Sequence, residues 1–107
     1  MFELKLIAPQ LPENVDAVTI AQTFQHIRRE FCKICGGYTE VDGQGGWVDA
    51  EGNLIVDQVT VFTGAVLEEH KTAIADPALQ GLAMYVRERL KQDCVYIRYS
   101  TGKVELV

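Results

Sequence analysis

The sequence predicts an α+β domain of the ferredoxin-like kind (βαββαβ), an antiparallel sheet covered on one face by two helices, with an extra C-terminal edge strand. Three observations predict it. Hydrophobic periodicity gives the order strand, helix, strand, strand, helix, strand, which is the split βαβ arrangement. A long amphipathic stretch ends on Gly36-Gly37, and two β-rich runs flank a single turn at Asp49–Asn53. With 107 residues, the chain has the length of one domain, residues 1–107, built on one core.

Each element has its own local signal. Phe2, Leu4 and Leu6 alternate with Glu3 and Lys5, the period of a half-buried strand, and Pro9 and Pro12 stop it. From about Glu13 to Cys35, Val18, Ala21, Phe24, Ile27, Phe31 and Ile34 recur at steps of three or four, so they share one helical stripe. Asn14 or Asp16 can cap its start, and Gly36-Gly37 supplies a left-handed stop. Tyr38–Asp49 reads as a strand in which Gly43-Gln44-Gly45-Gly46 predicts a bulge or sharp bend. The strand Leu54–Thr63 follows, and the two form a long antiparallel hairpin. The segment 64–75 stays open between loop, short helix and crossover. Asp76-Pro77 then reads as a cap with proline at the first helical position, and Leu79, Leu82, Ala83, Val86 and Leu90 carry a second helix to about Gln92. Val95–Tyr99 and Lys103–Val107 are the last strands.

Two helices cover only one face of such a sheet. Tyr38 and Glu40, Thr60 and Phe62, or Tyr96 and Arg98 are the residues available for the other. Phe62, Tyr96 and Val104 together motivate a homodimer through that open face.

Composition excludes some function classes. The net charge of −5 opposes phosphate backbones and anionic lipid surfaces, so neither nucleic acid nor membrane is an expected partner. No apolar run approaches the roughly 20 residues that span a bilayer, and Met1–Ala8 lacks the basic start of a signal peptide. Three cysteines cannot pair completely, which suits free thiols in a reducing compartment, and a cytoplasmic location is expected. Arg28, Arg29 and Lys33 are read as positive charge complementing the C-terminal end of the first helix.

The chemistry-bearing patterns are sparse. Cys32-Lys33-Ile34-Cys35 has redox or metal spacing, yet it lies at a helix C-terminus, where the dipole disfavours a thiolate, and no second ligand pair follows. Cys32 and Cys35 are therefore weak metal candidates. Gly43–Gly46 leads into Trp47 and a strand instead of a helix N-terminus, so it lacks the context of a phosphate loop. His26 sits within the first helix beside the apolar stripe. His70, in Glu68-Glu69-His70-Lys71, is the better candidate for a general base, with Glu40 and Tyr38 as its weak companions. Trp47, Phe62 and Tyr96 are candidates for a ligand or interface surface. No cofactor is expected.

The run Cys35-Gly36-Gly37-Tyr38-Thr39, with Gly43-Gln44-Gly45-Gly46-Trp47-Val48-Asp49 and Glu51-Gly52, resembles the central hairpin of small uncharacterised bacterial and phage-encoded proteins. Those often carry phenylalanine where this chain has Cys35. The resemblance covers about 35 residues and implies a shared fold and a mobile-element setting, with no functional residue to carry over. Nearly every polar cluster has a local account as cap, turn or solvated face. The sequence therefore leads first to a non-catalytic binding or assembly module of unknown function. Its alternative is a small cofactor-free enzyme or small-ligand-binding protein of the dimeric ferredoxin-like type.

Overall fold

Alternation in the first strand sets the frame. In β1 (Phe2–Pro9), Leu4, Leu6 and Ala8 are fully buried, while Glu3, Lys5 and Ile7 point the other way. The computed structural model describes residues 2–107. It continues with α1 (Ala17–Cys35), β2 (Thr39–Val48), β3 (Leu54–Val66), a 3-10 turn at Glu69–Lys71, α2 (Thr72–Arg89), β4 (Tyr96–Arg98) and β5 (Val104–Leu106). The strands form one five-stranded antiparallel sheet in the order β2-β3-β1-β4-β5. The chain is thus α+β, two helices on an antiparallel sheet, broadly of the ferredoxin-like class.

The core lies between the sheet and the helices. Leu6 pairs with Phe62 on one side and Ile97 on the other, and all three are sealed from water beneath Ile27, Phe31, Leu79 and Val86. Phe62 meets Phe24 edge-on with ring centroids 5.7 Å apart, and Phe31 at 6.2 Å. Phe62 is therefore a core residue and does not belong to the open face. Its strand neighbours share that side: Thr60 is buried, and Glu40, paired with Phe62 in register, faces α1. Of the residues expected on the open face, Tyr96 and Arg98 are the ones found there.

α1 begins at Asp16, whose Oδ1 accepts from the Thr19 amide at 2.6 Å, and this bond holds the Asp16 carboxyl below its usual range. It ends at Gly36, where φ is 82° and the amide donates to the Cys32 carbonyl. The buried stripe starts only at Thr23, so Val18 and Ala21 lie exposed where the first turns overhang the sheet.

α1 touches β3 most closely at Gly64. A Cβ built there would lie 2.8 Å from Cys35 Sγ and 2.9 Å from Phe31 Cδ1. The missing side chain is what lets the last turns of α1 rest on the strand.

Three sequence expectations change. β2 and β3 pair without interruption from Thr39↔Thr63 to Val48↔Leu54, so Gly43–Gly46 makes no bulge. A Cβ at Gly43 or Gly45 would meet Val59 methyls at an ordinary 3.7 Å, so the pleat tolerates these glycines without requiring them. The second helix starts at Thr72, which places Pro77 inside it, in its second turn, where the proline has no N–H to donate to the Ala73 carbonyl. Asp76 is accordingly no cap. Its carboxylate instead accepts from the Ser100 amide and hydroxyl, at 3.0 and 2.9 Å, tying α2 to the β4–β5 turn. The helix stops at Arg89, short of Gln92, as Lys91 takes a left-handed φ of 53°. The Asp49–Asn53 turn forms as expected, with Asp49 Oδ1 accepting from the amides of Glu51 and Asn53.

Beyond Pro9, which pairs with Val59, β1 no longer accompanies β3. Residues 44–57 therefore run on as a two-stranded ribbon, with Trp47, Val48, Leu54 and Val56 exposed.

Two outcomes follow from this packing. Gly64→Ala should lower unfolding free energy by about 1–3 kcal/mol, and Cys35→Ala in the same chain should recover part of that loss. A urea titration in which the single variant matches the parent would remove the close-contact account. The second outcome concerns Tyr99, which is nearly buried and donates its hydroxyl to Glu105 Oε2 at 2.9 Å. Desolvation first, then the neighbouring carboxylate, pushes its phenol up to about 12, from an ordinary value of 10.0. A raised pKa favours the folded state fully below pH 10 and loses that contribution as pH rises toward 12. Between pH 9 and 12 the melting temperature of Tyr99→Phe should fall less steeply than the parent's. Parallel slopes would show that Tyr99 titrates alike in both states.

Candidate functional site

Where α1 ends above the last residues of β3, and α2 begins, the three elements diverge and leave a cleft of about 660 Å³. Its position follows from local sequence. Gly36 turns the chain away at the end of α1, Val66 is the last residue of β3, and the 3-10 turn at Glu69–Lys71 carries the backbone over into α2. The walls are apolar: Ile34, Ala65, Leu67, Ile74 and Ala78. Leu67 and Ile74 are three-quarters exposed and extend the apolar wall to the cleft's edge.

Charge is confined to the mouth, where Glu30, Glu68, Lys33 and Lys71 gather. Glu68 Oε2 lies 3.2 Å from His70 Nε2 and 3.6 Å from Lys71 Nζ. Glu30 reaches Lys33 at 3.8 Å and His26 at 3.6 Å. An apolar wall with carboxylates and ammonium groups at its rim can hold a flat organic ring beside a zwitterionic or cationic head.

The sequence-predicted site residues do not converge. Cys32 and Cys35 line the cleft, but Cys35 packs against Gly64, and burial, then its neighbour Cys32, pushes its thiol up, away from thiolate chemistry. Among the described residues no group of three or more His, Cys, Asp or Glu side chains is arranged to hold a metal ion. His70 is three-quarters exposed, beside the mouth, and engages Glu68. Glu40 is elsewhere and occupied: Arg28 grips it with Nε at 2.7 Å and Nη2 at 3.2 Å, and that carboxylate in turn raises the arginine's pKa. Arg28 therefore ties α1 to β2, in addition to sitting in the second half of its helix. Tyr38 stands near Phe62, with centroids 6.5 Å apart, on the other side of α1's end. Trp47 lies on the distant ribbon, its indole N–H donating to Asp57 Oδ2 at 3.3 Å, and Tyr96 lies on the open face.

Glu68, Lys71, Leu67 and Ile74 were missed, because they belong to the segment 64–75 that no periodicity resolves. The available signal was composition: two large aliphatics bracket the charged run Glu68–Lys71.

No family model matches the chain, and no curated protein matches it in sequence. Solved structures do resemble it. A phage SAM lyase in complex with S-methyl-5'-thioadenosine superposes over 99% of this chain and 88% of its own, with a TM-score of 0.64 at 16% identity. A phage SAM lyase in the apo state superposes over 99% and 87%, with a TM-score of 0.63 at 17% identity. At these identities the likeness establishes a shared fold, and the chain is similar in architecture to phage SAM lyases across nearly its whole length.

Proposed function

We propose that this chain is a small enzyme of the S-adenosylmethionine lyase type, of phage or mobile-element setting, and that its ligand occupies the cleft between α1, β3 and α2. The frame is a ferredoxin-like order with β5 as an added edge strand. The observation that carries the reading is the cleft itself, whose apolar walls and charged rim suit a nucleoside bearing a charged side chain. Near-complete superposition on the lyase supports it.

The chemistry fits the charges. S-adenosylmethionine carries a fixed sulfonium charge and a zwitterionic amino-acid head, a net positive ligand at neutral pH. A chain of charge −5 attracts such a molecule by the same field that repels nucleic acid. Glu68 and Glu30 hold the cationic groups, and Lys71 takes the carboxylate. Ile74 and Leu67 cover the adenine. As an oxygen of the substrate's own carboxylate bonds to the side-chain carbon attached to sulfur, the sulfonium–carbon bond breaks, its electron pair returns to sulfur to leave a neutral thioether, and the amino-acid fragment departs as a lactone. An apolar wall disfavours the charged reactant relative to that neutral product, so the step gains from leaving water.

The second reading is a non-catalytic binding or assembly module, favoured by the exposed apolar ribbon around Trp47. One experiment separates them: purified chain is incubated with S-adenosylmethionine, and S-methyl-5'-thioadenosine is followed by chromatography alongside calorimetric titration with both compounds. The lyase reading expects product to accumulate, with at least tenfold loss in Glu68→Gln and Ile74→Glu. Binding without turnover would favour the module, and neither binding nor turnover at millimolar ligand would overturn the assignment of the cleft.

A further inference from the structure

We propose that the free edge of β2 is a docking site for an extended basic segment of another protein, which adds to the sheet as a further strand. β2 is the outermost strand of the order β2-β3-β1-β4-β5, so one side of its backbone has no partner strand. Its inner side pairs with β3 from Thr39 to Val48 without a bulge. Along such an edge every second residue turns its N–H and C=O outward, at the spacing of a β ladder. No loop or turn among the described residues bonds to that row. Natural edge strands are shielded by brevity, lysine, proline or a bulge. The opposite edge, β5, has three residues and follows Lys103. β2 has ten residues and neither a lysine nor a proline.

The glycines of β2 shape what this edge can receive. Thr39, Val41, Gly43, Gly45 and Trp47 share one face of the strand. Between Val41 and Trp47 no side chain stands on β2, and the floor of the gap is Val59, whose methyls lie 3.7 Å from where a Cβ at either glycine would be. Val41 at 60% exposure and Trp47 at 55% flank it. A neighbouring strand fills such a gap by laying large apolar side chains over the glycines. The glycines that β2–β3 pairing tolerates without needing thus gain a use.

Charge selects a basic occupant. The β2–β3 hairpin, Thr39–Val66, carries Glu40, Asp42, Asp49, Glu51 and Asp57 and no lysine or arginine. These five account for the whole net charge of −5, because the other ten of the 15 acids are matched by 10 Lys and Arg elsewhere in the chain. Among the described residues, only Glu40 of the five has a cation within ion-pair distance, Arg28. Asp57, on the Trp47 face, is engaged by the indole N–H. Glu40 and Asp42 lie on the other face of β2, so an added strand meets carboxylates on one side and the apolar gap on the other. The occupant that fits both alternates Lys or Arg with large apolar residues. A second copy of β2 would set Glu40 and Asp42 against like charges, and an acidic segment is repelled in the same way.

The test is a titration of the whole chain, whose one tryptophan is Trp47, with a synthetic peptide of about eight residues alternating lysine and valine, followed by Trp47 emission and by calorimetry. Saturable binding is expected, weakened at least tenfold when glutamate replaces lysine in the peptide. The same peptide N-methylated at every amide keeps its charge and apolar surface but has no backbone donor, and should also lose at least tenfold. Val41→Lys, at an exposed site, puts a cation on the edge and should weaken binding at least tenfold with the circular dichroism spectrum unchanged. Neither heat nor emission change at millimolar peptide would overturn the proposal. So would lysine and glutamate peptides that bind alike, an N-methylated peptide as tight as its parent, or a Val41→Lys chain that binds as the parent does. Peptide affinity that falls as chain concentration rises would assign the edge to a second copy and overturn it too. Turnover of S-adenosylmethionine is not among these readouts and the edge shares no residue with the cleft, so this proposal and the cleft assignment fail separately.

Discussion

The contact between α1 and Gly64 is the constraint on which much of the molecule depends. A helix lying over a sheet normally stands off by the depth of the side chains between them, and here one side chain is absent. Phe31 and Cys35 fill the space above Gly64, so the end of α1 drops onto β3. Phe31 is thereby brought over Phe62, and Phe62 over Leu6, which joins the helix layer to the centre of the sheet. The same descent fixes where α1 stops relative to the end of β3. The cleft opens just there, because Gly36 turns away while α2 approaches from the far side.

That contact also accounts for the most chemical-looking pattern in the sequence. A Cys-x-x-Cys pair invites a redox or metal reading, but Cys35 is a packing residue chosen for its small, polarisable sulfur over a glycine. A larger side chain at position 35 would need a different fit against β3, so the Cys35–Gly64 pair reads as a local solution to one packing problem. Cys32 is one turn back and exposed. The motif spacing survives only because both positions lie near the end of the same helix.

Legibility in the sequence followed the strength of local physics. β1, α1 and the Asp49 turn were readable because alternation, a helical stripe and an Asx turn each leave a pattern within a few residues. The elements of the second half were recognised, with shifted ends. Asp76-Pro77 resembled a helix start, and only the distant Ser100 reveals that Asp76 serves another contact. Phe62 was assigned to the wrong face for a related reason. In Val59-Thr60-Val61-Phe62-Thr63 both parities contain large apolar residues, so β3 carries no clear inside and outside until β1 is laid beside it. The cleft was the least readable feature, since its walls come from residues 30–36, 65–68 and 71–78, which no window joins.

The ambiguity of β3 is itself informative. A strand with apolar residues on both faces belongs in a sheet covered on both sides, and within one chain only the helices supply a cover. Leu6, Phe62 and Ile97 use it, whereas Ile7, Val59 and Val61 do not. Natural sheets limit such exposure with charges, and this one places Lys5 and Arg98 at its middle, where they repel each other. Retaining a repulsive pair in an otherwise apolar patch costs stability in the isolated chain.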